Sequence, residues 1–163
     1  MSAKKTAFYG MFLALALVAG YIEQLIPINL GIPGVKLGLA NIVTMLLLYI
    51  VGVPAACLIS VLRILFGSGF AMVYSAAGAA MSMLVMALLK KTKKFSSVGV
   101  SVAGGIFHNV GQIIVAMIVL ETKALAYYLP ILILSGLVAG ILIGILSGIL
   151  TKRLNPIIKQ HFV

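Results

Sequence analysis

Long apolar runs without a charged side chain constrain the fold of this chain more than any other feature. Residues 37–62 contain no Asp, Glu, Lys or Arg, and apolar segments of helical length recur before and after them. Hydrophobic residues make up 63% of the chain and charged residues 9%, whereas about a quarter of a soluble domain is charged. The sequence therefore predicts an all-α integral membrane protein built as one transmembrane domain. Runs of this length, without short alternating segments, exclude a transmembrane β-barrel.

The apolar segments predict six transmembrane helices at about residues 6–26, 37–51, 54–66, 70–89, 98–120 and 128–151. The connections are then an extracellular loop at 27–36, a cytoplasmic basic loop at 90–97 and a cytoplasmic tail at 152–163. Residues 37–62 are long enough for one span, so their division into two helices at Pro54 needs a separate argument.

The distribution of charge supplies that argument. The chain has 12 basic and 2 acidic residues, and cytoplasmic loops are enriched in Lys and Arg. With a turn at Pro54, six helices bring every basic cluster and both termini to the cytoplasmic side. A single span would leave one cluster outside. The charge is thus explained by membrane orientation, and no nucleic-acid partner is predicted. The clusters are Lys4 and Lys5; Lys90, Lys91, Lys93 and Lys94; and Lys152, Arg153 and Lys159.

Polar side chains within the apolar segments predict a ligand site, because such side chains are costly in lipid and mark functional positions. His108 and Gln112 are four residues apart and share one face of the fifth helix. An excess of cationic donors near the outer side favours an anionic or acceptor-rich ligand, which Arg63 could hold through two parallel hydrogen bonds. The candidate ligand-binding residues are Lys36, Asn41, Arg63, His108, Asn109, Gln112 and Glu23.

Two of these residues have a structural alternative. Arg63 could pair with Glu23 and lock two helices together. His108 could make a hydrogen bond between helices. Lys36 is different, because a lysine on the outer side is not explained by membrane orientation.

Missing residue types argue against catalysis. The chain has no Asp and only two Glu, so magnesium-assisted diphosphate chemistry has no cluster of carboxylates. The phosphate-binding motif of P-loop ATPases is absent, and no Ser or Cys has an evident His–acid pair. The sequence predicts no enzyme, no catalytic residue, no cofactor and no metal site.

Small residues form two helix faces. Glycines recur every four residues on the sixth helix, which predicts close packing within the bundle. The face on the first helix could pack likewise or could contact a partner protein. Those two faces are Gly136, Gly140, Gly144 and Gly148, and Ala3, Ala7, Gly10 and Ala14.

Two stretches, PGVKLGLAN at residues 33–41 and GGIFHNVGQ at residues 104–112, resemble the bacterial Gx transporter family, also labelled heptaprenyl diphosphate synthase component I. The architecture is similar to the S components of energy-coupling-factor transporters, which are six-helix substrate-binding proteins. This resemblance implies that residues 28–36 cap a ligand and that Ala3, Ala7, Gly10 and Ala14 dock a transmembrane coupling subunit. Flavins, other vitamins, and isoprenoid or quinone precursors all remain possible ligands.

These observations lead to one hypothesis and two alternatives. The hypothesis is a substrate-binding subunit in the bacterial cytoplasmic membrane that is energised by separate coupling and ATPase subunits. The first alternative is a non-catalytic membrane partner of a prenyl diphosphate or quinone-pathway enzyme. The second, an ion-coupled transporter, has Glu23 as its one candidate intramembrane carboxylate.

Overall fold

The computed structural model describes residues 3–25, 38–67 and 70–161, and these ranges contain helices and no strand. Residues 26–37, which include the predicted loop and Lys36, lie outside the described residues. A 3₁₀ helix, Lys123–Tyr128, precedes the last α-helix. The six α-helices, the number that the sequence predicts, are α1 (Ala3–Leu25), α2 (Leu39–Ile50), α3 (Val53–Leu65), α4 (Phe70–Thr92), α5 (Ser97–Val119) and α6 (Leu129–His161).

Helices α2 and α3 are separate because the backbone turns between Ile50 and Val53. Gly52 has a φ of 132°, a conformation that L side chains rarely adopt. Pro54 follows in the first turn of α3, where its missing N–H leaves no hydrogen bond unmade. The turn that the charge pattern predicts at this point is therefore built from a glycine and a proline.

Four helical segments are long and apolar enough to cross a membrane, judged by length and composition: Ala3–Glu23, Met72–Thr92, Ser97–Val119 and Lys123–Gln160. Helices α2 and α3 have 12 and 13 residues, so each is about 18–20 Å long. The hydrocarbon core of a bilayer is about 30 Å thick. The chain is thus a helical membrane protein, and two of the six α-helices among its described residues are shorter than a full span.

The core lies around α2, which packs against α1, α3 and α6. Met45, Leu47 and Leu48 of this helix are almost completely buried. The outer faces of the long helices are also apolar, with Leu84 and Leu134 each 62% exposed. A soluble protein seldom exposes so much apolar surface, whereas a bilayer would cover it.

Helices α5 and α6 approach each other through their glycines. An ideal Cβ placed on Gly105 would lie 2.5 Å from the Gly136 carbonyl oxygen, and one on Gly140 would lie 2.6 Å from Val102 Cα. Gly144 is equally close to the backbone of α5 at Val98. The glycine series of α6 therefore packs within the bundle, as its spacing predicts.

Residues 90–92 of the predicted basic loop and residues 152–161 of the predicted tail are helical, which corrects the sequence-based helix ends. Helix α4 continues to Thr92 and α6 continues to His161. Ile158 is buried in the same apolar cluster as Phe8 and Phe12, and Leu154 packs against that cluster. The basic residues do not end these helices, because leaving the apolar region does not interrupt the backbone hydrogen bonds of a helix.

Lys90 joins the end of α4 to the end of α2. Its ammonium group donates a hydrogen bond to the Leu48 carbonyl oxygen and lies 5.4 Å from the centre of the Tyr49 ring. A cation at a helix C-terminus and a cation over an aromatic face are each worth about 0.5–1 kcal/mol.

We expect Lys90→Met to lower the free energy of unfolding by about 1–2 kcal/mol, because both of these contacts are lost. Thermal unfolding of the purified protein in detergent measures the change. Lys91→Met, at an exposed position one residue further, is the matched control and should have little effect. Equal effects of the two substitutions would contradict a specific role for Lys90.

Candidate functional site

Polar side chains from five helices converge on one pocket between α1, α2, α3, α4 and α5, which α6 closes. We call it the polar pocket. The other residues lining it are mostly small, and include Gly38, Gly105, Gly136 and Gly140. Six of the seven candidate ligand-binding residues lie here, and Lys36 falls outside the described residues. The polar lining consists of Glu23, Asn41, Arg63, Ser75, His108, Asn109 and Gln112.

Helix ends and helix faces bring these side chains together. Asn41 lies in the first turn of α2, and Arg63 lies in the last turn of α3. Because α2 and α3 are consecutive helices joined by a tight turn, the start of one and the end of the other meet at the same end of the bundle. Arg63, which is near the end of its helix, therefore reaches the pocket together with Asn41.

Gly78 of α4 allows the polar face of α5 to approach closely. A Cβ at Gly78 would lie 3.0 Å from His108 Cε1 and 2.8 Å from Gln112 Cγ. A larger residue at this position would push both side chains out of place. The four-residue spacing predicts that His108 and Gln112 share a face, and the close approach of this face to α4 depends on Gly78.

Glu23 holds the start of α2. Its carboxylate accepts a hydrogen bond from the Gly38 backbone N–H, one of the N–H groups that a helix N-terminus leaves without a partner inside the helix. Gly38 has a φ of 75°, which favours glycine. A Cβ there would lie 3.0 Å from Ile143 and 3.1 Å from the Asn41 side chain. Glu23 therefore has a structural partner on α2.

Arg63 supplies the positive charge that the described residues bring to the polar pocket. Its Nε atom is buried and has no hydrogen-bond partner. The Glu23 carboxylate is near enough for its charge to act on the guanidinium. Among the described residues, however, no salt bridge joins Arg63 to Glu23, so the direct ion pair that the sequence allowed is not formed. A buried, incompletely bonded guanidinium next to a cavity is suited to bind an anion.

Asn109 has a different role from its neighbours. Its side-chain amide donates a 2.6 Å hydrogen bond to the Leu132 carbonyl oxygen of α6. Leu132 lies in the first turn of α6. Although Asn109 lines the polar pocket, its amide nitrogen is already used to join α5 and α6.

A second, deeper cavity lies next to the polar pocket and shares Asn41, Arg63 and His108 with it. Buried hydroxyl groups line it, and sequence reasoning missed most of them. Thr44 Oγ1 and Ser60 Oγ lie 3.4 Å apart, bridging α2 and α3. A signal was present, because Thr44 follows Asn41 by three residues and Ser60 precedes Arg63 by three, so each pair shares a helix face. The hydroxyl-bearing residues of this cavity are Thr44, Ser60, Ser82 and Ser101.

The two spaces lined by described residues are small. The polar pocket has a volume of about 90 Å³ and the deeper cavity about 30 Å³, whereas pockets for drug-sized ligands measure about 300–1,000 Å³. In this conformation the site has room for several water molecules or a compact anionic group. A larger ligand would have to place most of its atoms elsewhere or widen the pocket.

The residue types of the site suit the binding of an anion. Among the described residues, no group of three or more His, Cys, Asp or Glu side chains could hold a metal ion. The pocket offers a guanidinium, amides, an imidazole and hydroxyls around a single carboxylate. Such a set can orient an anion through charge-assisted hydrogen bonds.

The small-residue face of α1 lies on the surface. Ala3, Ala7, Gly10 and Ala14 are exposed, while Phe8 and Phe12 on the opposite face are buried. A Cβ at Gly10 would meet no described atom within 4 Å. This face is therefore not used for packing among the described residues.

Comparison with known proteins identifies the family. Neither the curated proteins nor the solved structures include a significant match to the chain. The model of one protein family, described as heptaprenyl diphosphate synthase component I, matches residues 12–150. This range covers most of the chain and includes both sequence stretches on which the resemblance rests. The chain belongs to the heptaprenyl diphosphate synthase component I family.

Proposed function

We propose that this protein is a membrane-embedded substrate-binding subunit that takes up a small anionic or acceptor-rich molecule. It has no catalytic role, and separate coupling and ATPase subunits energise the transport. Both termini and the basic clusters lie in the bacterial cytoplasm, and all six helices are embedded in the membrane, α2 and α3 as a short hairpin. Ligand enters from the opposite side, where the polar pocket lies.

The observation that carries this proposal is the position of Arg63. Its guanidinium lines a polar pocket inside an otherwise apolar bundle, together with Asn41, His108 and Gln112. The one carboxylate in the lining, Glu23, already accepts a hydrogen bond from Gly38. The chain thus keeps a cation at a costly position where the Glu23 charge acts on it but no direct salt bridge joins the two among the described residues. An anionic ligand would supply the close partner that the guanidinium lacks.

Mass spectrometry of the purified protein tests the proposal. Protein extracted in mild detergent, purified and then denatured should release a small molecule in about one-to-one ratio with the chain. The same preparation of Arg63→Ala should release none. A wild-type protein that repeatedly releases no small molecule, from cells grown in rich medium, would contradict the proposed function.

The family description favours a second function. A component of a prenyl diphosphate synthase would be a non-catalytic membrane partner of a soluble enzyme. The chain has no Asp and two Glu, so the magnesium-binding carboxylates of such a reaction would have to come from the partner. Co-purification with a soluble prenyltransferase, together with absence of a released small molecule, would support this alternative against the transport function.

The exposed face of α1 provides a test of the coupling partner. We expect Gly10→Leu to abolish co-purification with a co-expressed transmembrane coupling subunit, because a bulky side chain prevents close approach of two helices. Ligand release from the isolated protein should be unchanged. Leu134→Phe, at an exposed position on α6, is the control and should leave co-purification intact. Equal co-purification of the Gly10→Leu and wild-type proteins would contradict docking at this face.

A further inference from the structure

An apolar groove runs along the outside of the bundle between α3 and α4. It has a volume of about 470 Å³ and its lining is almost entirely apolar. On α3 it extends from Cys57 to Leu65 and on α4 from Met72 to Met83. Eight residues of helix correspond to a length of about 12 Å. The groove is thus an elongated space of the shape that a single hydrocarbon chain would fill.

Small side chains on α4 create the groove. Ala76 and Ala80 are both exposed within it, and α4 packs far more extensively on α5 than on α3. Two adjacent helices in lipid usually exclude such a space by packing closely. Here the two helices remain apart over most of the length of α3.

The groove adjoins the polar site. Ser60, Ala79 and Met83 line both the groove and the deeper cavity, so one layer of side chains separates the two spaces. Arg63 and Ile64 are consecutive residues of α3, and the first lines the polar pocket while the second lines the groove. A molecule bound at Arg63 therefore lies within one helix turn of the groove.

The volumes and the polarity of these spaces indicate what kind of ligand would fit them. The polar pocket and the deeper cavity hold about 90 and 30 Å³, which suits a phosphate or carboxylate group but not a whole vitamin. The apolar space is several times larger. A ligand with a compact anionic head and a flexible apolar chain would match both spaces, because its head needs hydrogen bonds and its chain does not.

We propose that the ligand is a single-chain anionic amphiphile, with its head group at Arg63 in the polar pocket and its apolar chain in the α3–α4 groove. This inference rests on the proposed function, since it names the substrate class of the same site. The chain passes between α3 and α4 at Ser60 and Ala79, where the side chains are small, and Met83 moves aside because its side chain is flexible. The ligand then enters laterally from the bilayer.

The physical role of the groove is to give the chain a path and not to increase affinity by burial. Lipid tails are as apolar as the groove, so moving a chain from the bilayer into the groove changes its free energy little. A side chain that fills the groove would, however, collide with the apolar chain whenever the head is bound. Blocking the groove should therefore weaken amphiphile binding and leave binding of an isolated head group unchanged.

The experiment uses the full chain in phosphatidylcholine nanodiscs and measures equilibrium binding of three probes. These are decyl phosphate, ethyl phosphate as a head group with almost no chain, and dioleoyl phosphatidic acid as a two-chain membrane lipid. The groove is blocked by Ala76→Phe or Ala80→Phe, with Ala80→Leu as a smaller substitution if either prevents folding. Leu84→Phe, which adds a ring at an exposed position one turn beyond Ala80 and outside the groove lining, is the matched control.

We expect the blocked variants to bind decyl phosphate at least about ten-fold more weakly than the wild type, a change of about 1.4 kcal/mol. Ethyl phosphate should bind equally to all of these proteins, and Leu84→Phe should behave as the wild type. Each probe partitions into the bilayer to the same extent for every variant. The difference in affinity between wild type and blocked variants therefore reports the effect of the groove alone.

Three outcomes would overturn the inference. Unchanged binding of decyl phosphate in the blocked variants would show that the groove does not hold the apolar chain. The proposed function would still stand if Arg63→Ala binds neither decyl phosphate nor ethyl phosphate. A loss confined to phosphatidic acid would assign the groove to a bilayer lipid. If the wild type binds neither decyl phosphate nor ethyl phosphate, the ligand is not a phosphate amphiphile. The proposed function is then tested independently by the mass spectrometry of the small molecule released on denaturation.

Discussion

Arg63→Ala is expected to weaken ligand binding by on the order of 100-fold while the bundle remains folded. Each charge-assisted hydrogen bond contributes about 1.5–3 kcal/mol, and a guanidinium can make two to one anion. Two such bonds correspond to at least about 3 kcal/mol, or roughly two powers of ten in affinity. Titration of the purified protein with its released ligand, or with ethyl phosphate, measures the loss.

Arg63→Lys separates charge from geometry. Lysine keeps the positive charge but lacks the planar pair of donors, so we expect an intermediate loss of affinity of about ten-fold. Thermal unfolding of both variants checks the fold. Loss of folded protein in Arg63→Ala, with recovery in Arg63→Lys, would instead show that the charge balances Glu23 and serves stability.

Gly105→Ala is expected to lower the free energy of unfolding strongly. The added Cβ would lie 2.5 Å from the Gly136 carbonyl oxygen, and the atom it meets belongs to the backbone of a packed helix. Neither helix can move apart without breaking the contacts of the adjacent glycines. Overpacking of this kind costs about 1–3 kcal/mol, and we expect the upper end of that range.

Gly20→Ala is the control, because it makes the same chemical change at a position where a Cβ has room. The nearest described atom to a Cβ at Gly20 is the Ala40 Cβ, at 3.9 Å, which is ordinary van der Waals contact. Because alanine favours a helix over glycine by about 1 kcal/mol, this variant should be as stable as the wild type or more stable. Denaturant or thermal unfolding followed by far-UV circular dichroism compares the two. Similar stability of both variants would contradict a tight α5–α6 contact.

Much of the helix arrangement could be predicted, because its causes are local. The apolar runs predict helices, and the basic clusters predict a turn at Pro54, which the structure forms through Gly52. The glycine spacing of α6 predicts a packing face, which the contact between Gly105 and Gly136 confirms. The predicted ends of α4 and α6 are too early, since charged residues mark where a chain leaves an apolar environment and not where its hydrogen bonds stop.

The site, too, could be predicted only in part. The presence of polar side chains in apolar helices indicates a site, and the spacing of His108 and Gln112 predicts their shared face. The sequence leaves open whether Arg63 pairs with Glu23, because the two residues are far apart in the chain. In the structure Glu23 accepts a hydrogen bond from Gly38, and Asn109 donates one to Leu132. These partners come from other helices and could not be read from local spacing.

The sequence by itself determined that this chain is a helical membrane protein with a cationic, carboxylate-poor set of polar residues, because composition and periodicity act within each helix. Only the tertiary structure decided how those residues meet: a polar pocket at Arg63, a hydroxyl-lined cavity beneath it and an apolar groove between α3 and α4. The physical reason is that cavities arise from the distances between helices. Those distances depend on which small residues face each other across two helices that are remote in sequence.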